Sequence, residues 1–212
     1  MVKTVTVDGL LFDMDGTLID STPGVFKAWA TFSTDYNLGD HRKITHATHG
    51  RRLYDTLAEY CSITNEAMLL AEIDRFEDEV IQGGPLSLPG AITLLAQYAP
   101  RAIERCGLPI PAVGIITSND VPRGKPYPDP YLAGAQRCTI EPTNCLVVED
   151  AISGLKSGKA AGARTLAVCT STSRDMILRS EANPDFIVAD LTCISVSFVN
   201  GELEVSIDES KQ

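Results

Sequence analysis

Residues 11–18 read Leu11-Phe12-Asp13-Met14-Asp15-Gly16-Thr17-Leu18, so an apolar run ends in two aspartates one residue apart. Carboxylates are disfavoured at the end of a buried strand unless something pairs with them. Two positions apart on an extended chain, Asp13 and Asp15 point the same way. Together they form an anionic site suited to a hard cation such as Mg2+. Gly16 permits a sharp turn after the second carboxylate. Thr17 is expected to bond its own local backbone as the chain leaves the strand. Three further groups carry chemistry: Gly124-Lys125-Pro126, Glu149-Asp150 after the apolar Cys145–Val148, and Ser153-Gly154. Lysine is a compact cation that can hold a phosphate oxygen. Ser153-Gly154 opens the next helix, where backbone amides favour an anion. A set of carboxylates with one lysine and no His/Ser pair suits Mg2+-assisted phosphoryl transfer, where positioning and charge neutralisation do most of the work. A carboxylate can serve as the nucleophile through an aspartyl-phosphate.

The elements that must position these residues follow from the pattern. Residues 5–12 form a first strand. Apolar spacing then predicts a helix over 23–36 (Val25, Trp29, Phe32, Tyr36), a second through Leu53, Leu57 and Tyr60, and a third through Leu69, Ile73, Phe76 and Val80. No strand interrupts them, so 20–86 reads as a helical insert, leaving 1–19 and 87–212 as the core domain. In the second half, strands at Val113–Thr117, Cys145–Val148, Thr165–Val168 and Phe186–Val188 alternate with helices near 130–137, 152–161 and 173–181. That alternation predicts an α/β fold with a Rossmann-like parallel sheet. Ligands bind at the carboxyl ends of the strands in such sheets, so the candidate residues share one rim. Ile194–Phe198 and Leu203–Ile207 flank Asn200-Gly201, a C-terminal β-hairpin signal. One segment breaks the alternation. Helices are expected from Pro89 to Tyr98 and from Pro100 to Cys106, with no strand between, although a βαβ sheet should return to a strand after the first helix.

The 212 residues carry a net charge of −10, and no stripe of Lys/Arg stands out, which argues against nucleic acid and anionic membrane surfaces as partners. The longest apolar run is too short to span a bilayer, and the N-terminus does not read as a signal peptide. Six cysteines without a C-x-x-C pair suit a reducing, cytoplasmic setting. His46 and His49 lie three apart but lack further ligands for zinc. Gly154 to Lys159 is one residue short of a phosphate loop, and Ala160 stands where Ser/Thr is required.

At these motifs the chain resembles the haloacid dehalogenase-like (HAD) hydrolase superfamily, in its helical-cap subgroup. Asp13-Met14-Asp15-Gly16-Thr17 fits the first family motif, Lys125 the third and Glu149-Asp150 the fourth. Thr48-His49-Gly50-Arg51-Arg52, Asn119-Asp120-Val121 and Val148-Glu149-Asp150-Ala151 resemble the fungal glycerol phosphatases and 2-deoxyglucose-6-phosphate phosphatases. The resemblance implies a Mg2+-dependent phosphatase acting on a small phosphorylated metabolite, a sugar or polyol phosphate. Asp13 would be the nucleophile and Asp15 the acid and base. Mg2+ would be held by Asp13, Asp15 through its carbonyl, and Asp150, supported by Glu149. Lys125 would hold the phosphate, and His49, Gly50 and Arg52 would face the site from the helical insert. The chain departs from the family at the second motif, a strand ending in Thr or Ser that should lie between the helices at Pro89 and Pro100. Thr117-Ser118-Asn119 resembles that motif, but its closeness to Lys125 assigns it to the strand before the third motif. The departure leaves open a catalytically impaired member of the family. A sugar phosphomutase would share the same residues.

Overall fold

The computed structural model describes residues 2–96, 102–103, 108–109, 114–117 and 120–210. The chain divides into two compact units, one made of Met1–Ile19 and Ser87–Gln212, the other of Asp20–Leu86. The first stretch carries β1 (Val2–Val7), β2 (Gly9–Phe12) and β3 (Ile19–Asp20). Four helices follow: α1 (Thr22–Asp35), α2 (His41–Thr48), α3 (Leu53–Tyr60) and α4 (Glu66–Gln82). Next come β4 (Leu86–Ser87), α5 (Ala91–Ala96), β5 (Ala102–Ile103) and β6 (Leu108–Pro109). The remainder alternates as α6 (Asp129–Cys138), β7 (Cys145–Glu149), α7 (Ile152–Ala160), β8 (Arg164–Val168), α8 (Arg174–Arg179) and β9 (Phe186–Val188). It ends in the hairpin β10 (Ile194–Val199) and β11 (Glu202–Asp208).

The first unit is built on a parallel sheet of order β2-β7-β8-β9. Every residue of β7 is buried, because both faces of the sheet are covered. Side chains alternate between those faces. Leu146, Val148, Leu166 and Val168 pack with Ala91 and Leu94 of α5 and with Val196, Val205 and Ile207 of the hairpin. On the opposite face Val147 packs with Tyr131 and Ala135 of α6, and Ala167 with Leu155 of α7 and Ile177 of α8. The α/β class and the C-terminal hairpin are therefore present. Among the described residues no helix is long and apolar enough to cross a membrane.

Four expectations need correction or fall partly outside the described residues. The first strand is two: Asp8 interrupts it, its amide bonded to the Asn144 carbonyl at 2.9 Å and its carboxylate accepting from Asn144 Nδ2 at 2.8 Å. Only β2 enters the parallel sheet. β1 pairs with β11, giving a three-stranded antiparallel sheet of order β1-β11-β10. The 114–117 stretch is not a strand. Gly114 has φ +89°, and the Thr117 amide and hydroxyl bond the Asp120 carboxylate at 2.7 and 2.9 Å, which closes a turn. Val113, Ser118 and Asn119 lie outside the described residues. The helix expected from Pro100 to Cys106 is contradicted at Ala102–Ile103, which pair antiparallel with Leu108–Pro109. The rest of that helix, the end of the Pro89–Tyr98 helix and the place of the second-motif strand lie outside the described residues. Among the described residues, β2 pairs with β7 alone in the parallel sheet.

The second unit has a helix that the apolar spacing missed. α2 buries Ile44, Thr45 and Thr48, so its inner face looks polar in sequence. The threonine hydroxyls are satisfied by their own helix, Thr45 on the His41 carbonyl and Thr48 on the Ile44 carbonyl, each at 2.9 Å. Asp40 caps it by accepting from the Arg42 amide. Trp29, Phe32 and Phe76 fill the core, with Trp29 and Phe76 edge to face at 5.1 Å between centroids.

Candidate active site

The register of β2 on β7 starts the site. Phe12 pairs with Val148, and the Asp13 amide donates to the Val148 carbonyl at 3.0 Å, so the first and fourth motifs leave adjacent strands together. The chain then turns about Met14, whose carbonyl accepts from the amides of Thr17, Leu18 and Ile19. Gly16 adopts φ +86°, a region that L side chains rarely occupy, and a Cβ there would overlap the Asp150 carboxylate. Thr17 is fully buried. Its hydroxyl crosses to the fourth motif and donates to Asp150 Oδ1 at 3.2 Å, which corrects the expectation of a purely local bond.

Lys125 reaches the same place from the loop ahead of α6. Its Nζ donates to Asp13 Oδ1 at 2.5 Å and also to Glu149 Oε1. Glu149 and Asp150 are both fully buried. The Glu149 carboxylate accepts four donors. Oε1 takes Lys125 and the Tyr131 hydroxyl at 2.7 Å, and Oε2 takes the amides of Asp150 at 3.1 Å and Ala151 at 3.0 Å. The anion beside the start of α7 is thus the chain's own Glu149. A Cβ on Gly154 would overlap that carboxylate, which is why the third residue of α7 is glycine.

The charges are set by burial against pairing. Burial alone would pull the Lys125 ammonium down, but the facing carboxylates of Asp13 and Glu149 outweigh it and hold its pKa well above the usual lysine value. Burial and the Asp13 charge push the Glu149 carboxyl up, opposed by Lys125. Burial and Glu149 push the Tyr131 phenol well up, so it remains protonated and donates.

Asp13, Glu149 and Asp150 each place a carboxylate oxygen within 4.8 Å of the others; the four donors on Glu149 leave Asp13 and Asp150 as the carboxylates with room for a metal ion, Glu149 in support. Oxygen-only donors fit a hard divalent cation. Asp150 is gripped from two sides, by Thr17 and by the Ser171 hydroxyl, while Thr170 donates to the Gly16 carbonyl. Asp15 has an exposed side chain and a backbone bridge to Ile19. His49, Gly50 and Arg52 belong to the second unit. His49 follows α2, Gly50 has φ +69°, and Arg52 precedes α3 with its guanidinium 4.8 Å from the centre of the Tyr54 ring.

Tyr131, Thr170 and Ser171 join the site without a motif to announce them. Tyr131 had the look of an apolar helix residue, and the two hydroxyl residues lie in a loop after β8 with no motif of their own. A rim position after a parallel strand was the one available signal.

A parallel sheet with an acidic rim and a half-buried lysine paired to it is an arrangement suited to phosphoryl transfer. Residues 93–162 match the model of the haloacid dehalogenase-like hydrolases. The chain is 38% identical to hexitol phosphatase A of Escherichia coli over 179 residues, covering 76% of this chain and 82% of that protein. It is 30% identical to glycerol-1-phosphate phosphohydrolase 2 of Saccharomyces cerevisiae over 230 positions, covering 95% and 89%. The structure of a HAD hydrolase of family IA, variant 3, from Entamoeba histolytica superposes with TM-score 0.72 at 20% identity, covering 88% and 95%. The chain belongs to the haloacid dehalogenase-like hydrolase family. The match to the yeast protein spans 230 positions against 212 residues in the whole chain, so that relative carries at least 18 residues without a counterpart here.

Proposed function

We propose that this protein is a Mg2+-dependent, cytoplasmic phosphatase that hydrolyses small sugar or polyol phosphate monoesters through an aspartyl-phosphate. The phosphoric monoester hydrolase class is that of its relatives, which are named for hexitol and glycerol-1-phosphate substrates. The observation that carries the reading is Lys125 held between Asp13 and Glu149 on the strand rim.

In this mechanism an Asp13 carboxylate oxygen attacks phosphorus and the ester oxygen leaves. Asp15 gives that alkoxide a proton, then takes one from the water that hydrolyses the aspartyl-phosphate, which returns Asp13 and releases inorganic phosphate. Lys125 keeps the phosphate against Asp13 and offsets its charge. The Asp13 carboxylate, the Asp15 carbonyl and Asp150 would hold Mg2+, with Glu149 in support. When bound, the ion supplies charge neutralisation for the phosphoryl oxygens. His49, Gly50 and Arg52 supply contacts to the organic part of the substrate.

Purified protein with Mg2+ is to be assayed for phosphate release from hexitol, glycerol and hexose phosphates. Release is expected for at least one ester, with Asp13→Asn lower by at least about 1,000-fold, as befits loss of a nucleophile. Release no greater than that of the variant overturns the reading. A second reading, a catalytically impaired family member, is supported by the residues the yeast relative has and this chain lacks, and by β2 pairing with β7 alone among the described residues. Turnover at an ordinary enzyme rate, about 1 per second or faster, rejects it.

A further inference from the structure

We infer that Tyr131 is a positioning residue for the phosphate-holding lysine, acting through Glu149. The inference rests on the phosphatase reading for its kinetic consequence, while the contact itself stands apart from it. Tyr131 is 5% exposed and its ring packs with Ala135, Cys145 and Val147. A phenylalanine would satisfy that packing. The hydroxyl is the part that packing does not require, and it is spent on Glu149 Oε1 at 2.7 Å, the oxygen that also accepts from Lys125. The ring of the same residue lies 5.5 Å from the Lys125 ammonium.

The arithmetic of donors explains the effect. An ionised carboxylate has about four acceptor positions, and Glu149 has four donors on it. It is saturated and itself fully buried, so it cannot swing without losing a bond. Tyr131 also disperses the charge on Oε1. Without its hydroxyl, Oε1 faces Lys125 alone and attracts it more strongly, drawing the ammonium from Asp13. The lysine would then sit further from where a phosphate must bind. Removing one hydrogen bond to a charged group typically changes an equilibrium by about 10- to 100-fold.

The test is Tyr131→Phe, with inorganic phosphate as the probe. The expected result is about 10-fold weaker inhibition by phosphate and a comparable loss in kcat, with a changed side-chain ammonium signal of Lys125 in protein carrying 15N-lysine. In a Glu149→Ala background the same substitution should have little further effect on the Lys125 signal, since the oxygen that Tyr131 and Lys125 share is gone. Unchanged phosphate inhibition, kcat and Lys125 signal in the folded variant would overturn the proposal, leaving Tyr131 as packing alone. An equal change of the Lys125 signal in the Glu149→Ala background would overturn it too. If Tyr131→Phe does not fold, 3-fluorotyrosine at this position keeps the shape and strengthens donation, and an unmoved Lys125 signal rejects the contact. If the wild type releases no phosphate from any ester, the phosphatase reading fails, and the Lys125 signal still decides the role of Tyr131.

Discussion

The two units bury polar groups in opposite ways. In the helical unit the buried threonines bond their own helix: Thr45 and Thr48 reach back four residues and Thr56 three. In the sheet unit the buried polar groups include two carboxylates, and their partners come from far along the chain. Lys125 is 112 residues from Asp13, Thr17 is 133 from Asp150, and Tyr131 is 18 from Glu149. A local bond forms wherever the helix forms. A long-range bond forms only when the sheet has set its register, and it stays wherever a buried charge would otherwise lack a partner. The helical unit is thus held by aromatic packing with its polarity hidden locally. The sheet unit concentrates costly charge at one rim, and that rim is where the proposed chemistry lies.

The sharpest challenge to this contrast is Glu149→Ala. It leaves Lys125 without one of its two carboxylates and should cost about 3–5 kcal/mol in denaturant unfolding, together with loss of phosphate release. Normal activity would show that the rim charge is ornamental. In the other unit, Phe76→Ala should cost a similar or slightly smaller amount, about 3–5 kcal/mol, through an unfilled cavity beside Trp29 and Phe32. Calorimetry would read it as a lower Tm, and a shift within error would mean that the aromatic core is not what holds the helices. Ser171→Ala removes one of two hydroxyls on Asp150 and should weaken Mg2+ binding about 10- to 100-fold with little change in Tm. Titration calorimetry with MgCl2 decides this, and unaltered affinity would show that Ser171 does not hold Asp150 in place. The smallest effect is expected for Thr45→Val, within about 1 kcal/mol, because the lost hydroxyl served only its own helix. A larger cost would break the distinction between local and distant satisfaction.

Much of the site was legible because its parts are short and their chemistry is unusual. Asp13 and Asp15 after an apolar strand, and Glu149-Asp150 after another, have few structural reasons to exist, and β2 and β7 stand where the pattern put them. Lys125 was legible only in company, since a lone lysine is ordinarily a surface residue. Tyr131 and Ser171 were not legible, because a helix tyrosine and a loop serine carry no signal until a partner is opposite them. The same reason hid α2, whose buried face is largely threonine, and the break at Asp8 that sends β1 to the hairpin.

The sequence alone determined the α/β class, the helical insert, the hairpin and the acidic and basic residues of the rim, because periodicity and residue type act over a few neighbours. Tertiary structure decided which sheet each half of the first strand would join, that Gly16 and Gly154 must leave room for carboxylates, and that Tyr131, Thr17 and Ser171 would close the network. Those outcomes depend on which atoms meet across 18 residues of chain for Tyr131, 21 for Ser171 and 133 for Thr17, and only the packed sheet brings them within bonding distance.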